Sequence, residues 1–135
     1  MEQGIETLRI YRIATTLADE IWQEVVKWKY FERDGLGKQL TNAADSIGAN
    51  IAEGYGRYFF KERVLFLYYA RGSLFETRHW LERAVTRKLI AEEKHNAWIK
   101  QIEDLFHNSM PTSANNTPKR ANPNRPLPNP LFPFP

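Results

Sequence analysis

Between residues 10 and 28 the apolar side chains Ile10, Ala14, Leu17, Ile21, Val25 and Trp28 recur at steps of three and four, the spacing that lines one stripe of an α-helix. This predicts a first helix over about 5–32, stopped at Asp34-Gly35-Leu36-Gly37, where two glycines offer the left-handed conformation that ends helices cheaply. A second helix, about 37–53, is small-sided, with Ala43, Ala44, Ser46, Gly48, Ala49 and Ala52 around Leu40, Ile47 and Ile51. Small residues permit close helix approach. A mid-helix glycine costs about 1 kcal/mol against alanine, so Gly48 reads as a crossing point filled by a neighbour's bulk. Gly54 and Gly56 are expected to break this helix.

The third helix, about 59–87, carries the heaviest aromatic load. Its core stripe is Phe60, Val64, Leu67, Leu74, Leu81 and Val85, yet Phe66, Tyr69 and Trp80 fall off that stripe. A helix apolar over so much of its circumference is either central to a bundle or faces another subunit. A fourth helix, about 91–108, presents Trp98, Ile102, Leu105 and Phe106 at helical spacing. Four amphipathic helices with short connections make an all-α four-helix bundle the expected fold.

Composition adds a boundary. All eight prolines lie between Pro111 and Pro135, so 1–110 reads as the helical bundle and 111–135 as a proline-rich disordered tail, in which Leu127, Leu131, Phe132 and Phe134 offer the only sizeable burial. The net charge of +3 also belongs to the tail, since Lys119, Arg120 and Arg125 stand there without an acid while the first 110 residues are balanced. A balanced body needs a local cationic patch if it is to bind a polyanion. Without cysteine there is no disulfide, no thiolate metal site and no cysteine nucleophile. No apolar run is long enough to span a bilayer and no leader-like segment opens the chain, so the expected location is cytoplasmic.

The run from Leu40 to Arg57, above all Asn50-Ile51-Ala52-Glu53-Gly54 with Arg57, followed by Lys61-Glu62 and Ala70-Arg71-Gly72-Ser73-Leu74-Phe75-Glu76, resembles the "four helix bundle protein" family. That family includes proteins encoded in intervening sequences of bacterial 23S rRNA genes and is related to the accessory variability determinant of diversity-generating retroelements. The resemblance covers about 5–107. It implies a left-handed up-down-up-down bundle, assembly into a ring-like homopentamer, no enzymatic activity, and nucleic-acid binding through basic surface, alongside a reverse transcriptase in the retroelement relatives. One departure is Phe59, where relatives carry the Ser or Thr of a capping box with Glu62. Phe59 and Phe60 are expected to start the third helix by packing instead.

The candidate interface follows from charge. Residues 57–88 hold Arg57, Lys61, Arg63, Arg71, Arg78, Arg83, Arg87 and Lys88 against Glu62, Glu76 and Glu82, and arginine suits bidentate phosphate contact. The competing reading is a solvated face whose cations pair with glutamates three or four residues away. Arg57 on this view closes onto Glu53 or onto carbonyls at the end of the second helix, Asn50 and Glu53 tie the turn together, and Glu76 is a buried partner for one of the arginines. Two functions stay open: an oligomer that binds RNA or DNA through the third helix, or a scaffold whose aromatic surplus receives a protein partner. Steep weakening with salt belongs to the first alone.

Catalysis is disfavoured by the side chains themselves. His79, His95 and His107 lack the three- or four-residue spacing that puts two imidazoles on one helical face, no Glu-x-x-His pair exists for a di-iron site, and Gly54-Tyr55-Gly56 lacks the strand and third glycine of a phosphate cradle. No metal or cofactor is expected.

Overall fold

The computed structural model describes residues 2–108. Five helices and one π-helical turn follow in order: α1 (Glu2–Val25), α2 (Tyr30–Glu32), the π turn (Arg33–Gly37), α3 (Lys38–Tyr55), α4 (Phe60–Thr86) and α5 (Glu92–Asn108). The long rods α1, α3, α4 and α5 close an antiparallel bundle in which each packs on its two neighbours. No strand occurs among the described residues. The proline-rich tail expected to be disordered lies outside them.

The predicted stripe of the first helix is the core face of α1, with Ile10, Ala14, Leu17, Ile21 and Val25 buried. The helix boundary differs from expectation. The rod ends at Val25, where the amides of Lys27 and Trp28 tighten to three-residue bonds with Glu24 and Val25 carbonyls (3.1 and 3.0 Å). The chain then re-enters helix at Tyr30 and runs through Gly35 and Gly37 without stopping, and no glycine takes a positive φ among the described residues. Burial of Trp28 makes the corner, and Gly37 serves contact instead of termination: a Cβ there would stand 2.7 Å from Val25 Cγ1 and 3.3 Å from Trp28 Cε3.

In α3 the small residues act as predicted. A Cβ on Gly48 would lie 3.0 Å from Thr15 Cγ2, so α1 crosses there. Gly54 does not break the helix as expected. It is buried inside the last turn, where a Cβ would come 2.7 Å from Phe66 Cβ, so it lets α4 approach, and the helix ends one residue before Gly56. Asn50 donates to the Ser46 carbonyl (2.9 Å) and reaches Ser73 Oγ of α4 (3.5 Å), so it ties two helices together.

Leu74 and Leu81 are the buried part of the stripe predicted for the third helix, with Ala70, Thr77 and Ala84 completing the face. Thr77 is satisfied by the Ser73 carbonyl at 2.8 Å. Phe60, Val64 and Leu67 are only half-buried. Phe106 of α5 packs against Phe75 and Arg71, and Phe60 lies roughly three helical turns, about 16 Å, before Arg71. Near that end of α4 is a groove of 190 Å³, lined by Ile10, Ile51, Phe60, Arg63, Val64 and Leu67 among others. In α5 the expected Trp98, Ile102 and Leu105 are buried, and Trp98 Nε1 donates to Glu20 of α1 at 3.0 Å.

Candidate nucleic-acid interface

The eight cations assigned from the sequence are all on or beside α4, but their surroundings divide them. Arg57 closes on Glu53 at 2.8 Å with its guanidinium 4.7 Å from the Phe66 ring centroid, the structural role weighed for it. Arg63 donates from Nε to the Arg57 carbonyl at 3.0 Å and lies over Tyr55 at 5.1 Å. Burial lowers its pKa from the ordinary arginine value, with Tyr55 opposing; the group stays charged. Arg57 and Arg63 thus meet at the turn between α3 and α4 and serve it.

Arg71 is held between Phe75 (5.3 Å) and Phe106 (4.8 Å), bridging α4 to α5, and Arg78 pairs with Glu82 at 3.4 Å. Glu76 corrects an expectation. It is exposed, and its Oε1 accepts from Trp80 Nε1 at 3.2 Å, so it is not the buried partner of an arginine. The helix starts on Phe59 in extended conformation with no side-chain cap; the Phe59 carbonyl accepts the Glu62 and Arg63 amides, both at 3.1 Å, and its ring meets Tyr58 edge-on.

Lys61, Arg83, Arg87 and Lys88 remain. None has an ion pair or side-chain hydrogen bond among the described residues. Lys61 stands at one end of α4 and the other three at the opposite end, about 33 Å away at helical rise. The sequence reading did not anticipate this separation.

The end holding Arg83, Arg87 and Lys88 closes through a Schellman motif, with the Leu89 amide on the Ala84 carbonyl (2.9 Å) and the Lys88 amide on that of Val85 (3.1 Å). Lys88 takes φ 61°, the one non-glycine residue with positive φ among those described. Cations there also offset the negative end of the helix dipole. Beside them sits a feature missed from the sequence. Tyr30 and Phe31, together with Glu32, Asp34, Leu36 and Arg87, line a cleft of 500 Å³. The two aromatics among charges are their sequence signal, hidden by a predicted first helix that runs to about residue 32.

A carboxylate pair lies between α1 and α3. Asp19 and Asp45 line one groove with Gly48, Ala49 and Ala52, and the Asp45 carboxyl is pushed above its ordinary pKa by burial and by the Asp19 charge. No group of three His, Cys, Asp or Glu residues is arranged to hold a metal ion among the described residues, and no helix there is long and apolar enough to cross a membrane.

A family model described as 23S rRNA-intervening sequence protein matches residues 6–108. No curated protein matches the chain.

Proposed function

The chain belongs to the 23S rRNA-intervening sequence protein family, and from that membership we propose a non-enzymatic, cytoplasmic bundle that assembles with copies of itself and binds nucleic acid through the cations of α4. The observation that carries this reading is the group of Arg83, Arg87 and Lys88 at one helix end without carboxylate partners among the described residues. Three clustered cations attract a polyphosphate to that end of α4. Lys61 adds a separate charge at the far end of α4, whereas Arg57, Arg63, Arg71 and Arg78 contribute field while their side chains hold the bundle together.

Self-association is supported by the outer face of α4. Leu65 and Tyr69 are exposed there one turn apart, Phe75 is exposed at the edge toward α5, and Gly72 sits among them with open space where its Cβ would be. An exposed mid-helix glycine costs about 1 kcal/mol unless something approaches it closely, and a second copy over Gly72 supplies that reason. Five copies is the number the family resemblance implies. The same aromatics support the second reading, a scaffold for a protein partner such as a reverse transcriptase.

The test is a titration of labelled RNA at two salt concentrations, with native mass measured in parallel. An oligomer whose affinity falls steeply with salt, and which loses binding on Arg83→Glu with Arg87→Glu, supports the proposal. Salt-insensitive or absent binding with these variants folded moves the function to the scaffold. Arg71→Glu is a poorer probe, because it also removes the guanidinium packed on Phe75 and Phe106.

A further inference from the structure

Phe31 and Tyr30 are the most exposed large apolar side chains among the described residues, at 85% and 73%. Both belong to α2, held by the π turn that follows, and both line the 500 Å³ cleft that Arg87 borders from α4. Glu32 also lines it, and its carboxylate group is an acceptor of N–H donors. Asp34 adds a second carboxylate. The cleft therefore combines aromatic faces and two carboxylates with cations on one side, Lys88 following Arg87 in the chain.

We propose that this cleft receives one unpaired base of a single-stranded nucleic acid, stacked on Phe31 and Tyr30, with a base N–H on Glu32 and the flanking phosphates on Arg87 and Lys88. The inference rests on the nucleic-acid reading above and adds the strandedness and the place. A duplex hides the faces and Watson–Crick donors of its bases; only an unpaired base offers both to a protein. The carboxylates fix the polarity. They repel phosphate from the cleft and accept from the base, while the attraction for phosphate lies outside at the end of α4. Aromatic rings left in water at a charged corner are the usual platform for such stacking.

The experiment compares a short labelled single-stranded RNA with the same strand in a duplex, at fixed ionic strength. The protein should prefer the single strand. Tyr30→Ala with Phe31→Ala should weaken the single strand about tenfold and leave the duplex unchanged. Glu32→Gln, which exchanges an acceptor oxygen for a donor, should act in the same direction more weakly. Both rings are exposed, so the double variant keeps the core intact. Equal affinity for the two forms, or aromatic variants that weaken neither, overturns the cleft while leaving charge-driven binding standing. A fall in native mass in the double variant assigns the rings to a contact between copies and also overturns it. Failure of the unmodified protein to bind either RNA removes the function reading itself, a separate result.

Discussion

Lys88 occupies the position after α4 where the backbone turns left-handed, φ 61°, and where glycine alone escapes the clash of a Cβ with the carbonyl. A lysine there costs about 1 kcal/mol relative to glycine. Lys88→Gly should accordingly raise the unfolding free energy by about that amount, seen as a higher denaturant midpoint at unchanged m value. If Lys88 belongs to the interface, the same variant binds RNA more weakly and with a shallower salt dependence. Greater stability with unaltered binding removes Lys88 from the interface. Other residue roles were legible from spacing alone: Arg57 with Glu53, just past the end of α3, and Arg78 with Glu82, within α4, are each four apart. The commitment of Arg71 was not, because one of its two rings, Phe106, arrives from another helix.

At the level of elements, glycines decide how closely the rods approach, and their neighbours rank their replacement. Gly54→Ala places a methyl 2.7 Å from Phe66 Cβ and 3.3 Å from the Arg63 carbonyl, atoms fixed to the backbone of α4, so it should destabilise by about 1–3 kcal/mol. Gly48→Ala meets the Thr15 methyl at 3.0 Å, and the gain in helix propensity of about 1 kcal/mol offsets most of that strain. Thermal melts of the two variants should separate clearly, and equal melting temperatures would contradict the close α3–α4 approach. The four rods and the crossing at Gly48 could be read from periodicity because they are local properties of amphipathic helices. The corner at Val26–Lys29 could not: it contains neither glycine nor proline, and the break comes from burial of Trp28 against a helix that follows later in the chain. Half-burial of Phe60, Val64 and Leu67 was equally hidden, since periodicity marks an apolar stripe but not which of its turns a neighbouring helix covers.

For the whole molecule, the charge that matters is set by how many copies present it together. One chain using Lys61, Arg83, Arg87 and Lys88 releases few counterions, giving a log–log salt slope for single strands of roughly −3. An assembly that lays several α4 helices along one strand must give a steeper slope. Gly72→Ala separates these cases without touching a cation. In an isolated chain its methyl enters open space and should stabilise α4 by about 1 kcal/mol. If Gly72 lies under a neighbouring copy, the methyl instead forces the copies apart, so native mass falls and the salt slope relaxes toward the single-chain value, although every cation is retained. Stabilisation with unchanged mass and slope would show that assembly, if present, uses another face, and the exposed Trp22 and Val26 at the end of α1 are then the next surface to alter.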